Sequence, residues 1–402
     1  MLANIRNGIA GAVVVAASLY AALPASAAEV GIDEANKVVK VGAFTPITGP
    51  VPFYAILTHA SEAYFMNLND NGGIDGWTVD FITKDDGYDP ARSVAVTRQF
   101  VEDDKVFALA APLGTATNVA VLPYAAEVGL PIIGPVGGAS AFFTADHVFP
   151  LLPDYGWSAA SSLDFAVNDL GKKKVALLWE NDELGKSAKR GFDLYMKDLG
   201  MEPVESISFD VKTTSFSAHI RRVANSGAEV VVLFGSNANL AAALKDADRQ
   251  GVEVDWMAPF FTADPSTLKL AGDLLDGVYF SSWLLPVASD EPEVVSYRES
   301  VDKYFPKDPK GVLGLNGWSN AALFHVGFKA LLDSGEEITR ENLIKAMNGL
   351  KDERVGGARG VTFEPGDHRG TRQEGIIQYK DGEFVLAREF QPYPSVVFNA
   401  AE

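Results

Sequence analysis

Val38-Val39-Lys40-Val41-Gly42-Ala43-Phe44 is a short β-branched run that leads through Thr45-Pro46-Ile47-Thr48-Gly49-Pro50 into a helical pattern from about Tyr54 to Asn69. A strand, a Gly/Pro loop and an amphipathic helix in that order form the first half of a βαβ unit. The pattern continues with a strand from Trp77 to Thr83, a helix from Pro90 to Glu102 and a strand from Val106 to Ala111. Asp89-Pro90 is a helix start, the carboxylate capping free N–H groups and the proline filling the first helical position. A second block opens with Lys174-Val175-Ala176-Leu177-Leu178-Trp179. It continues with helices from about Leu184 to Leu199 and from Ser215 to Asn225, the strand Glu229-Val230-Val231-Val232-Leu233-Phe234, and a helix from Asn239 to Gln250. Helical stretches from Leu315 to Leu332 and from Thr339 to Leu350 follow, then a strand-rich tail from Ile376 to Phe390. Such alternation predicts an α/β fold with two doubly wound parallel-sheet lobes, the chain passing between them more than once.

Upstream, residues 1–28 read as a cleavable export signal. Arg6 supplies the charged start, the apolar run from Ile9 to Leu23 is short for a bilayer, and Ala25-Ser26-Ala27 offers small residues for cleavage. The chain has no cysteine, which removes disulfides, thiolate metal sites and lipid anchoring through an N-terminal cysteine. A soluble protein of a Gram-negative periplasm is the expectation. Acidic residues number 53 against 34 basic, a net charge of −19, so nucleic acid and anionic membranes are poor partners. With 47% hydrophobic residues and no second stretch of spanning length, the chain holds more than one ordinary core.

Enzyme signatures are missing. There is no G-x-S-x-G elbow, no phosphate-binding G-x-x-x-x-G-K-[ST] and no G-x-G-x-x-G. His59, His147, His219, His325 and His368 are scattered without metal-ligand spacing, so no metal or cofactor is expected.

In an open parallel sheet, ligands bind beyond the carboxyl ends of the strands, where helix N-termini present unpaired N–H groups. Four such loops carry suggestive residues: Thr45 to Pro50 with Phe53-Tyr54, Pro112 to Thr117, Gly134 to Ser140, and Gly235-Ser236-Asn237. Taken alone, Thr115 also reads as a helix cap, Tyr54 as a core residue and Gly137-Gly138 as a turn. Asp85-Asp86 reads as solvated or capping. Phe260-Phe261 and Trp256 read as sheet core, with only one of the two phenylalanines facing the cleft.

Thr48-Gly49-Pro50-Val51, Asn71-Gly72-Gly73-Ile74-Asp75-Gly76, Lys84 to Pro90, Gly134-Pro135 and Gly251-Val252 through Met257-Ala258-Pro259 occur in an order and spacing that resembles the periplasmic leucine/isoleucine/valine-binding family. These are the type I solute-binding proteins of ABC importers, and the resemblance spans almost the whole mature chain. It implies two lobes joined by three crossovers, residues 37–156 with 285–367 and residues 157–284 with 368–402. It also implies a cleft that closes over one small molecule, and an ABC permease as partner. A monomer is expected.

By the same resemblance Thr115 holds a ligand carboxylate, Tyr54 forms an aromatic wall, and Gly138, Ala139 and Ser140 lie in the loop supplying further donors. Tyr155 lies near the first crossover, where it touches ligand or packs the hinge. Leu184 stands where amino-acid binders often have tyrosine, and Ser236-Asn237 replace an aromatic pair. Phe260 replaces the acid that pairs with a ligand ammonium. That departure points to a small organic carboxylate, aromatic or apolar, rather than a zwitterion, unless Asp182, Glu183 or Asp264 reaches in. A binder of leucine, isoleucine or valine, a sensor's ligand-binding protein and a secreted hydrolase are the alternatives.

The expected mature protein begins near Ala28 or Glu29, is monomeric and is released by osmotic shock. N-terminal sequencing of the released fraction checks this, and an intact Met1 or recovery only with membranes contradicts it.

Overall fold

The computed structural model describes residues 29–400, so the export signal expected over residues 1–28 lies outside the described residues. A short β1 (Ile32–Asp33) pairs antiparallel with β2 (Val38–Thr45). The last five residues of β2 are all buried, as in a parallel strand covered by helices on both faces. With β3 (Thr78–Asp85), β4 (Ala108–Ala110), β5 (Ile132–Ile133) and β6 (Val148–Phe149) it forms one sheet in which β3-β2-β4-β5-β6 run parallel. Four helices cover this sheet. α1 (Ala55–Asp70) lies on one face, α2 (Pro90–Gln99) and α3 (Thr115–Glu127) on the other, and a late segment of the chain returns to pack beside α1.

The chain then crosses to a second sheet. α4 (Tyr155–Asp164), β7 (Val175–Glu180), α5 (Glu183–Asp198), β8 (Glu205–Phe209), α6 (Ser217–Ser226), β9 (Val230–Phe234), α7 (Asn237–Gln250), β10 (Asp255–Ala258), α8 (Pro265–Ala271) and β11 (Tyr279–Ser282) follow in order. β8-β7-β9-β10-β11 are parallel, repeating the strand order of the first sheet. All five residues of β9, Val-Val-Val-Leu-Phe, are buried. α4 and α5 cover one face and α6, α7 and α8 the other.

A second crossover leads to α9 (Pro292–Tyr304), α10 (Val312–Ser334), α11 (Arg340–Met347) and the hairpin β12 (Glu353–Val355) and β13 (Ala358–Val361). α10 is the helix that returns to the first lobe, crossing α1 where Gly317 meets the Leu57 carbonyl; a Cβ on Gly317 would lie 1.9 Å from that oxygen. Ser61 Oγ donates to the Gly317 carbonyl at 2.9 Å across the crossing. A third crossover brings in β14 (Gln373–Lys380) and β15 (Glu383–Pro392), which add antiparallel to β11, and α12 (Ser395–Phe398). The crossovers touch one another: Gly370 of the third packs on the Pro150 carbonyl of the first, and Trp283 of the second shares a small cavity with Thr371 and Gln373. Among the described residues no helix is long and apolar enough to cross a membrane.

The strands and helices read from the sequence are present within a few residues. The sequence pattern did not separate α3, α4, α8, α9 and α12. Nine of the ten residues of α4 are buried, so it has no polar face and shows no helical period.

Glu374 of β14 lies inside the second lobe, where Ser158 Oγ of α4 donates to its carboxyl at 2.9 Å. Burial pushes this carboxyl up to about 8, against the hydrogen bond from Ser158 and the attraction of Arg388. The folded state thus keeps a proton that the unfolded chain has lost. Its stabilising effect is complete below the ordinary glutamate range and is lost as pH rises towards 8. Glu374→Gln is therefore expected to stabilise the protein increasingly with pH, by on the order of 3 kcal/mol at pH 8.5 relative to pH 4.5. Urea unfolding of both proteins at the two pH values measures the difference.

Candidate functional site

In each sheet the earliest parallel strand lies between the next two, so the loops leaving β2 and β4, and those leaving β7 and β9, turn away to opposite faces. The carboxyl ends of both sheets face one cavity of about 70 Å³ between the lobes. That is room for roughly five water-sized positions.

The first lobe contributes hydrogen-bond donors. α3 starts at Thr115, and no side chain caps its first turn. Its unpaired N–H groups give that end a partial positive charge. Gly114 is required there: its φ is +115°, and a Cβ would lie 2.3 Å from Thr117 Oγ1 and 2.8 Å from the Tyr88 ring. Asn118 Nδ2 holds the loop by donating to the Pro112 and Gly114 carbonyls at 2.9 and 2.7 Å. Thr115 is buried and lines the cavity beside Tyr155. Tyr54, Tyr88 and Tyr155 bring three phenols to the cavity. All three hydroxyls are driven up, first by desolvation, so they stay protonated.

The second lobe presents carboxyl groups and aromatic walls. Glu180 ends β7 and lines the cavity, although it is almost fully buried. Asp182, two residues on, is the acidic neighbour whose charge acts on it. Asp182 caps α5 by accepting from the Gly185 N–H at 3.2 Å. Gly185 allows this close approach, since a Cβ would fall 1.9 Å from the Glu180 carbonyl oxygen. Desolvation, then the charge of its partner, raises Glu180; desolvation also raises Asp182. α7 is closed to anions as well, because Ser236 and Asn239 form a reciprocal capping box.

Polar contacts join the lobes around this cavity. Tyr54 Oη donates to Asn237 Oδ1 at 2.6 Å, and Asn237 Nδ2 donates in turn to Thr267 Oγ1 at 2.6 Å. The Leu313 N–H at the start of α10 donates to buried Asp264 at 3.2 Å. On the crossover side, Asp154 accepts from Ser140 and from Ser187 of α5, while Arg190 donates to Ser140 Oγ at 2.7 Å.

Of the residues singled out in the sequence, Tyr54, Thr115, Tyr155 and Phe260 line the cavity. Asn237 lies on its rim, bound to Tyr54 and facing an outer groove that also holds Phe53, Leu270 and three lysines, Lys212, Lys269 and Lys307. Gly138 packs beneath the Tyr155 ring. Ala139 joins the core under α2 and α3, and Ser140 is drawn to the Asp154 cluster. Neither of those two reaches the cavity, and Val136 takes the place in the wall.

Phe260 and Phe261 both line the cavity, which corrects the expectation that only one would. The strand ends at Ala258, and the two rings lie in a single helical turn where strand alternation does not apply. Asp264 caps α8 rather than reaching in. Asp85 and Asp86 hold their own loop, Asp85 accepting from Thr48 and Arg92 and Asp86 from the Tyr88 N–H and Ser93. Sequence reasoning missed Tyr88, Glu180 and the α10 residues Leu313 and Asn316. Glu180 carried a usable signal, since it is the first residue after a predicted strand. Tyr88 carried none; it faces inward from a left-handed turn at φ +58°.

The family model for periplasmic binding proteins matches residues 38–383. The leucine-, isoleucine-, valine-, threonine- and alanine-binding protein of Pseudomonas aeruginosa is 22% identical over 312 residues, 77% of this chain and 83% of that protein. Among solved structures, a branched-chain amino acid ABC transporter protein from Thermus thermophilus with bound valine superposes with a TM-score of 0.82 at 21% identity, covering 90% of this chain and 98% of that one. A fatty acid ABC transporter substrate-binding protein from Thermomonospora curvata gives 0.81 at 20% identity, covering 92% and 96%.

Tyr54→Phe removes only the hydroxyl that joins the lobes at the cavity rim. The variant is expected to open more readily and to release a bound ligand about five- to tenfold faster, as one hydrogen bond between lobes predicts. Stopped-flow dissociation and small-angle scattering of the two proteins test this.

Proposed function

This chain belongs to the periplasmic binding protein family, and we propose that its cleft captures a small organic carboxylate, aromatic or apolar in its remainder, and delivers it to an ABC permease in the inner membrane. The observation that carries the reading is the uncapped start of α3 beside the buried Thr115 hydroxyl. Asp182 and Ser236 already cap the helices opposite. A carboxylate placed near the second lobe would also meet Glu180 and Asp182, so it belongs against the first. Hydrogen bonds from the α3 N–H groups and Thr115 to an anion are of the stronger, charge-assisted kind. Tyr54, Phe260 and Phe261 then enclose the remainder of the molecule.

Closure does the work of capture. The ligand touches donors of the first lobe and walls of the second only when the lobes meet, so it favours the closed state by the difference in its affinity for the two states and by no more. Once Tyr54 reaches Asn237, the ligand is sealed from the outer groove. The ligand leaves chemically unchanged, because the role asks for binding and release alone. Amino acids and fatty acids, named for the relatives above, share the carboxylate that this site is suited to hold.

Mass spectrometry of small molecules released from native protein is expected to yield a carboxylic acid. Thr115→Ala is expected to weaken that acid by about 1 to 3 kcal/mol in titration calorimetry, through loss of a hydrogen bond to a charged group. A released ligand without an acid group, or unchanged affinity in the variant, contradicts the reading.

A further inference from the structure

α10 is the longest helix among the described residues, and its first part, from Val312 to Phe324, is buried throughout. A buried helix start cannot offer its free N–H groups to water, so it needs a capping acceptor. Gly311, the residue before it, has no side chain to supply one. The acceptor comes from the other lobe. Asp264 Oδ2 accepts from the Leu313 N–H at 3.2 Å, as an N-cap carboxylate does for the second residue of its own helix. The other oxygen is committed at home: Oδ1 accepts from the Ser266 N–H at 3.0 Å and from Ser266 Oγ at 2.7 Å, at the start of α8. One carboxyl group thus caps two helices, one in each lobe. Asp264 is not part of the cavity wall, although Leu313 is.

Gly311 is fitted to this contact. Its backbone is extended, with φ −128° and ψ −179°, a conformation open to any residue, so no turn demands a glycine there. Tyr297 Oη holds it in place by donating to its carbonyl at 2.9 Å. A Cβ would meet the second lobe first, with Asp264 Oδ2 at 2.0 Å, Pro265 Cδ at 2.7 Å and Asp264 Cγ at 2.9 Å as its three nearest neighbours. The missing side chain therefore matters while the lobes are together. Parting them takes the cap from α10, whereas α8 keeps its own through Oδ1. Closure recovers one hydrogen bond at a buried helix start, whatever the cleft holds.

We propose that Asp264 is a positioning residue for ligand capture that itself touches no ligand: it caps α10 from the opposite lobe only on closure, and the bare Gly311 backbone admits it. This rests on the closing cleft of the reading above and not on the carboxylate. The balance of open and closed states, and with it the apparent affinity for any occupant, is then set partly by a contact within the protein.

The chain has no cysteine, so Lys212→Cys and Lys307→Cys, on the two lobes' sides of the outer groove, can carry the only two spin labels. Pulsed electron–electron double resonance then reads the separation of the lobes, in the protein as purified and after bound small molecules are stripped by unfolding and refolding. A shorter and a longer separation are expected, the stripped sample being richer in the longer. On this labelled background Gly311→Ala is expected to lower the ratio of closed to open molecules at least about tenfold, because its methyl group takes the place of Asp264 Oδ2. Asp264→Asn keeps one capping oxygen for two helix starts and is expected to lower the ratio about fivefold. Circular dichroism and the urea midpoint of the stripped proteins should stay close to the parent. Folded Gly311→Ala with an unchanged distance distribution overturns the inference and leaves closure standing. A single separation in every sample overturns closure, and the inference with it. Unfolding of both variants shows that the contact holds the fold rather than the closed state, which overturns it as well; where Gly311→Ala alone unfolds, Asp264→Asn decides.

Discussion

A parallel sheet whose earliest strand lies between the next two must send the loops from neighbouring strands to opposite faces, and this leaves a crevice at its carboxyl edge. Both lobes obey that constraint with the same strand order. Much of the cavity wall hangs from it: Tyr54 follows β2, Thr115 follows β4, Glu180 closes β7 and Ser236 follows β9. The fully buried strands that impose the order, β9 above all, have no polar face to spend on binding. Recognition is thus confined to loops and helix starts, held by a core that does not touch the ligand.

The two crevices are built alike and charged differently. At the first lobe the helix start is open, and a glycine keeps it free of any side chain. At the second, carboxylates and a hydroxyl satisfy the helix starts before a ligand arrives. The contrast arises from which residue stands at one or two cap positions, not from any difference in fold. A low-dielectric cavity sharpens it, because neither wall is screened by bulk water.

The alternation of strands and helices, the longer helices and the crevice-facing loops were legible because they follow from hydrophobic period and from Gly/Pro punctuation. The β-branched runs at Val38 and Val230 carry that information themselves. What stayed hidden was orientation within loops. Nothing local says that Ala139 and Ser140 turn away while Val136 turns in; that depends on Thr115 packing against Gly137 and on Asp154 drawing Ser140 towards α5. Phe260-Phe261 misled because a run beside a strand was read with the strand's alternation, when the chain had already begun a helical turn. Glu180 was passed over because acids beside strands are common, and only burial next to Asp182 makes this one unusual.

The three crossovers lie together, the third packed on the first and the second sharing a cavity with the third. Three adjacent covalent links resist twist and sliding between the lobes and leave rotation about their common edge as the soft motion. Whatever sits in the cavity is thereby translated into a single angle. On the proposed delivery to a permease, a partner that grips both lobes would read that angle and nothing of the ligand's chemistry, so two compounds that close the lobes equally would look the same from the membrane. Discrimination has to be complete in the cleft before docking.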